Sequence, residues 1–304
     1  MIKRTVEISS SPCRLSLRQE QMILQREGQD DVSIPCEDIG VLVLDQPAVS
    51  VSGQVLTALL EKEAVILLCG PDHLPAGMLV PFSANLVQTQ RFREQIAAKL
   101  PLQKQLWKQI VQAKIRHQAD LLGKDHPDYS RLIALTYRVK SADTSNVEAQ
   151  AARIYWQAIF CDSRFRRKRE GDAPNNFLNY GYAVLRAAVA RALCCSGLHP
   201  SIGIHHRNKY NAYALADDLM EPFRPMVDAR ARQIALDGKT EIDRDVKAHL
   251  LAVLTDTVQL GDTAGPFMVA LPRMTASLAR CFAGEQKTLE IPQPCESPDT
   301  GPCG

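Results

Sequence analysis

Residues 64–82 read Ala64-Val-Ile-Leu-Leu-Cys-Gly-Pro-Asp-His-Leu-Pro-Ala-Gly-Met-Leu-Val-Pro-Phe82, and residues 88–100 read Gln88-Thr-Gln-Arg-Phe-Arg-Glu-Gln-Ile-Ala-Ala-Lys-Leu100. The first stretch opens on an apolar run, Ala64–Leu68, that stops at Gly70-Pro71-Asp72. A short, apolar, β-branched run closed by a turn signal is the pattern of a buried strand. The second stretch has helical periodicity. The chain therefore changes character at about Phe82, and this switch predicts an α+β protein. A small N-terminal β-rich domain spans 1–82, and a larger all-α domain spans 83–285.

Upstream of the switch, Thr5–Ser9, Arg14–Leu17, Met22–Arg26, Val32–Pro35 and Gly40–Leu44 are short alternating or β-branched segments separated by polar turns, and Gly53–Lys62 has helical spacing. No catalytic constellation gathers there, which leaves packing or self-association as the role of this unit. Downstream, helices are predicted over Leu102–Leu122, Asp128–Val139, Val147–Phe160, Asn176–Gly197, Pro225–Leu236, Asp243–Thr255 and Phe267–Ala283, with Gly197 at a C-terminal cap. Residues 286–304 lack periodicity and are rich in Pro and Gly, the composition of a disordered tail.

The chain has 304 residues, 45% hydrophobic and 23% charged, which is the range of an ordinary globular protein long enough for two domains. A net charge of +2 does not announce nucleic acid. Four acids and one base fall beyond residue 283, however, so the body is modestly basic and permits a phosphate-binding face. Nine scattered cysteines form no C-x-x-C pair, which argues against both a disulfide framework and a zinc-thiolate site. No apolar run approaches the length of a membrane span and no signal-peptide pattern precedes it, so a cytoplasmic location without membrane partners is expected.

Chemistry-bearing residues concentrate in Gly203–Asp228, where His205 and His206 precede Asp217, Asp218 and Glu221. On a helix, Asp218 and Glu221 project from one face, and like charges there gain from a cation between them. Imidazole with carboxylate oxygens suits manganese, magnesium or zinc. A plain solvated helix start is the commoner fate of such a run. Glu148 opens another helix within Ser145-Asn-Val-Glu148, which is also the wording of a capping box. On spacing the cap is favoured, and a metal ligand is the alternative. Arg164, Arg166, Arg167, Lys168 and Arg169 form either a solvated loop or a phosphate-contacting one. Tyr180 and Tyr182 are either core aromatics or stacking platforms for a splayed nucleotide.

Together, Ser145-Asn-Val-Glu148 with Arg153, Leu178-Asn-Tyr-Gly-Tyr182, Gly203-x-x-His206 and Asp218-x-x-Glu221-Pro-Phe-Arg-Pro225 resemble the motifs of the CRISPR-associated integrase that inserts new spacers. The wording is closest to the form found in type II loci. This resemblance implies catalytic ligands Glu148, His206 and Glu221 for Mg2+ or Mn2+, with Asp218 as a weaker ligand. It implies DNA contacts from His205, Arg224 and the basic loop. It further implies a homodimer formed through the β domain, and a heterohexamer with a small second adaptation protein. Double-stranded protospacer DNA and the CRISPR repeat would be the substrates. The implied reaction is attack of a 3′-hydroxyl on a phosphodiester. A structure-specific nuclease acting on branched DNA would use the same site, whereas a non-catalytic DNA-binding scaffold would need its carboxylates only as caps.

Overall fold

The computed structural model describes residues 3–71, 73, 75–82, 85–160, 165–168 and 171–295. Strands come first: β1 (Arg4–Ile8), β2 (Cys13–Arg18), β3 (Gln21–Gln25), β4 (Val32–Pro35), β5 (Ile39–Leu44) and β6 (Val49–Val51). Helix α1 (Gly53–Glu61) then leads to β7 (Val65–Cys69) and β8 (Pro75–Leu79). One sheet has the order β1-β5-β7-β8, parallel except for its β8 edge. The other has the order β4-β3-β2-β6, with β6 running parallel to β2.

The expected apolar strand is buried as far as Leu67 because both of its faces are covered there, while Leu68 is exposed. Successive side chains of a strand point to opposite sides. Leu42, Leu44 and Ile66 join Leu15, Met22, Leu24, Val55 and Leu59 in an N-terminal core. Val41, Val43, Val65 and Leu67 join the core of the helical region instead. Burying each such side chain contributes roughly 1.5–3 kcal/mol. Asp45, just past β5, is also buried and ion-paired with Lys247 from the helical region.

The helix-rich region contains α2 (Gln88–Ile96), α3 (Leu100–Leu122), α4 (Tyr129–Arg138), α5 (Val147–Ile159), α6 (Asn175–Cys195), α7 (Ala214–Met220), α8 (Arg224–Leu236) and α9 (Arg244–Leu251). After them come β9 (Thr257–Leu260), β10 (Thr263–Pro266), α10 (Phe267–Ala283) and β11 (Gln293–Pro294). Helix α6 is the axis, packed against α7, α8, α9, α10 and the β5/β7 sheet. Its alanines let neighbours come close. At Gly181 a Cβ would stand 2.4 Å from Val227 Cγ1, so α8 could not sit where it does over a larger residue. The expected cap is present: Gly197 adopts φ +75° and Leu198 N–H donates to Leu193 O at 2.9 Å.

Two expectations are corrected. The larger region is not all-α, because β10-β9-β11 form an antiparallel sheet within it. Residues 286–295 are also packed rather than disordered. Leu289 is buried and its N–H donates to Gln109 Oε1 at 2.8 Å. Glu290 pairs with Arg280 at 2.6 Å, and β11 bonds to β9. The order in this strap comes from partners distant in sequence, which local composition does not register. Residues 296–304 lie outside the described residues.

Candidate active site

The site forms where α3, α5, the loop after α6 and the α7–α8 junction meet. Helix α7 ends at Met220, and a 3-10 turn, Glu221–Phe223, carries the chain into α8. Pro222 and Pro225 sit at first-turn positions, where a missing N–H costs nothing. The change of helical pitch separates two acids that were expected to share a face. Glu221 turns toward α3, while Asp218 turns toward the 203–206 loop.

Asp218 is fully buried and saturated. It accepts the backbone N–H groups of Ile204 (2.6 Å), His205 (2.9 Å) and His206 (3.2 Å), and its Oδ1 lies 2.6 Å from His206 Nδ1. A Cβ on Gly203 would lie 2.4 Å from His206 O and 3.0 Å from Asp218 Oδ2, so this turn requires glycine. Bonding at Nδ1 leaves Nε2 as the His206 nitrogen that could bind a metal, as in the usual arrangement of an oriented metal histidine. The hydrogen bond to Asp218 raises the His206 pKa against burial, with further help from the charges of Asp218, Glu221 and Asp217. His205 lies flat on the indole of Trp107, centroids 4.1 Å apart and 2° from parallel, and His206 meets the same indole edge-on at 5.8 Å.

Glu148 sits in the first turn of α5, and the capping box around it is not formed. Asn146 enters with φ +50°, and the Asp143 carboxylate receives Val147 N–H and Glu148 N–H, each at 2.9 Å. Glu148 is thereby freed to project outward, where its Oε1 meets Lys114 Nζ at 2.5 Å. The same ammonium lies 2.5 Å from Glu221 Oε2. The other oxygen of Glu221 accepts Arg224 Nε at 2.8 Å. Burial alone would push Glu221 up, but Arg224 and Lys114 hold it at about 2. Lys114 is likewise desolvated, and Glu221 with Glu148 raises its pKa regardless.

Among the described residues, no three His, Cys, Asp or Glu side chains stand close enough to form a ready metal cluster. Two carboxylates nevertheless converge on a single cation position, and the buried Glu221 Oε2 is met there by the Lys114 ammonium alone among the described residues. Carboxylate oxygens with an imidazole nearby suit a magnesium- or manganese-type ion, so the residues present fit the implied group.

Tyr180 is wholly buried with its hydroxyl unpartnered, and Tyr182 is buried with its hydroxyl donating to Asp228 Oδ1. Neither offers a face to a base, so both belong to the core. The Tyr182 ring instead underlies the guanidinium of Arg224 at 4.4 Å and that of Arg167 at 5.4 Å. Arg167 is held inward by Asn175 (3.1 Å) and Asn179 (2.5 Å). Arg166 and Lys168 are exposed, while Arg164 and Arg169 lie outside the described residues. Asp217 serves Arg186 (2.6 Å) and Asn211 (2.7 Å), away from the carboxylate pair. Lys114, Trp107 and Asp143 were missed by sequence reasoning. Lys114 carried a signal: it falls on the stripe Trp107, Val111, Lys114, Gln118 of α3, whose other members are buried.

The family described as "CRISPR associated protein Cas1" matches residues 6–254. A CRISPR-associated endonuclease Cas1 of Neisseria meningitidis is 35% identical over 285 residues, covering 92% of this chain and 93% of the relative. An enzyme of the same description from Pyrobaculum aerophilum is 28% identical, covering 91% and 98%. Among solved structures, a casposase bound to integration product superposes with a TM-score of 0.77 at 16% identity, over 95% of this chain and 93% of that one. A Cas1 protein from Thermotoga maritima gives 0.73 at 19% identity, over 93% and 98%. These two likenesses concern the fold. The family match spans most of the sequence, the Neisseria relative is aligned nearly end to end, and the chain belongs to the CRISPR-associated Cas1 family.

Proposed function

We propose that the protein is a divalent-metal-dependent DNA integrase and endonuclease of CRISPR adaptation. The observation that carries this reading is the convergence of Glu148 and Glu221 on one cation position, with His206 oriented by Asp218 and feeling the charge of Glu221. Glu148, His206 and Glu221 would hold Mg2+ or Mn2+. Bound there, the ion polarises a phosphoryl oxygen and stabilises charge developing in an in-line displacement. Asp218 acts through His206, by fixing its ring and the loop that carries it, rather than as a ligand. Arg224 sets the charge of Glu221 and lies at the site's edge. Exposed Arg166 and Lys168 supply phosphate contacts that position DNA without reading its sequence. His205, half stacked on Trp107, presents its outer face to the same approach.

In the reaction, the 3′-oxygen of the incoming DNA forms a bond to a repeat phosphorus as the bond to the departing 3′-oxygen breaks. The proton lost by the attacking hydroxyl is regained by the leaving group through solvent. Within the family, the wording of the Asp218–Pro225 motif supports the type II locus form. Partners proposed are double-stranded protospacer and repeat DNA, a second copy of the chain, and a small second adaptation protein in a heterohexamer. The fold's recurrence in a structure described as a Cas6-RT-Cas1–Cas2 complex supports the last of these. The scaffold alternative is weakened, because the helix cap that would have employed Glu148 is supplied by Asp143.

A joining assay tests the reading. Labelled duplex with free 3′-hydroxyls is offered with a supercoiled repeat-bearing plasmid in Mn2+ or Mg2+, with and without the second adaptation protein. Metal-dependent transfer of label by wild type, lost in Glu148→Ala, His206→Ala and Glu221→Ala, is expected. Cleavage of branched DNA without transfer would favour the nuclease reading. DNA binding with neither reaction would leave a scaffold.

A further inference from the structure

We propose that Lys114 is a resident cation of the active site, seated between Glu148 and Glu221 until a divalent metal displaces it, so that it sets the metal concentration at which the site loads. The inference rests on the metal-site reading above and adds a competitor to it. Three observations point the same way.

The first is position. A single ammonium touches both carboxylates, at 2.5 Å each, and only 11% of the Lys114 side chain is exposed. The second is the kind of contact. Toward Glu221 Oε2 the contact is the Lys114 ammonium, and among the described residues that oxygen has no other partner. The oxygen is thus engaged by a single cation, and a metal ion can take that cation's place. The remaining oxygen of Glu221 is held independently by Arg224 and need not move. The third is charge. Two carboxylates, one ammonium and one guanidinium sum to neutrality, which is what a mostly buried cluster requires. A divalent ion entering with Lys114 still in place would leave two uncompensated positive charges in the same volume. Metal entry therefore requires the ammonium to leave the space between the acids, and its flexible four-carbon stem allows that.

The arrangement has a use. Buried Glu221 and half-buried Glu148, facing one another without a cation, would repel and distort the turn that carries Glu221. With Lys114 present, the metal-free protein keeps its ligands assembled while the reaction stays off. The cost is weaker metal binding than the same donors would give alone.

The test is direct Mn2+ binding by titration calorimetry, on full-length protein stripped with chelator, for wild type, Lys114→Met, Lys114→Arg and Glu148→Gln. Lys114→Met preserves the length and bulk of the side chain and removes its charge. It is expected to bind Mn2+ about tenfold or more tightly than wild type, since the competing cation is gone. In chelator it is expected to melt lower than wild type, and on adding Mn2+ to gain more in Tm. Lys114→Arg keeps the cation and is expected to bind Mn2+ no more tightly than wild type, which tests the idea even where the Met variant folds poorly. Equal or weaker Mn2+ binding by folded Lys114→Met, or tighter binding by Lys114→Arg, overturns the proposal while Glu148→Gln still abolishes binding. If wild type shows no Mn2+ binding that Glu148→Gln reduces, the metal-site reading fails and this proposal falls with it.

Discussion

Glu221 and Asp228 lie two turns of helix apart, both out of contact with water, yet their carboxyls are driven to opposite extremes. Desolvation pushes each of them up. At Glu221 the charges of Arg224 and Lys114 overcome it, and the group stays ionised down to about 2. At Asp228 the chief compensation is hydroxyl donors, Tyr155 at 2.7 Å and Tyr182, and the carboxyl remains raised at about 6. Burial alone therefore does not mark a functional acid. An acid that must keep its charge is provided with cations, whereas one that only fastens α5 and α6 to α8 makes do with neutral donors.

The sharpest way to break this contrast is to exchange the consequences. Glu221→Ala is expected to lower strand joining by at least on the order of 10³-fold. Asp228→Asn should leave joining far less affected. A comparable loss in both, measured at equal folded fraction, would erase the distinction. A smaller effect belongs to Asp218, which works through His206. Asp218→Asn is expected to weaken Mn2+ binding about 10–100-fold with the fold retained. Unchanged affinity would mean that the His206 ring needs no such support.

On the structural side, Asp228→Leu should cost about 2–5 kcal/mol in urea unfolding, because two buried tyrosine hydroxyls lose their acceptor. Tyr155→Phe removes one donor and should cost about 1 kcal/mol. The two acids also bend the pH dependence of stability in opposite directions. Asp228 has a folded pKa above its unfolded value of about 3.9, so its contribution is fully present below pH ~4 and is lost as pH rises through about 6. Glu221 is depressed, so its contribution is present above its unfolded pKa near 4.3 and disappears only as pH falls toward about 2. Stability of wild type minus Asp228→Asn should therefore decline between pH 4 and 6. A flat difference would show that Asp228 is ionised throughout.

Much of this was readable in the chain. The strand at Val65–Cys69 and helices α2 to α6 and α8 to α10 follow from apolar period and turn chemistry, and they fall within a few residues of expectation. The β9–β10 hairpin carried its own signal, since Thr257–Leu260 and Thr263–Pro266 flank Gly261-Asp262, a two-residue turn with Gly261 at φ +60°. Reading that segment only for helical period missed it. Strand β8 contains Pro75 and Gly77, residues that count against a strand in isolation and are tolerated on a sheet edge. Within the site, Glu148, His206 and Glu221 were legible as residue types suited to a metal. Their division of labour was not, because it depends on a change of helical pitch at Glu221 and on Asp143 reaching past Ser145 to cap α5. Both are local in sequence, yet neither apolar period nor cap spacing announces them. Nor does the sequence choose between the two roles open to the tyrosines: only the packing of α6 decides whether its aromatics face inward.

Strands β5 and β7 present one row of side chains to the N-terminal core and the alternate row to the core around α6. That double duty makes the protein hard to divide. A fragment beginning after Phe82 would carry Lys114, Glu148, His206 and Glu221 yet lack the floor on which α6 rests. Its alanine-rich inner face would then be left wet and adhesive. Anyone wishing to simplify this enzyme should shorten loops and leave the sheet alone.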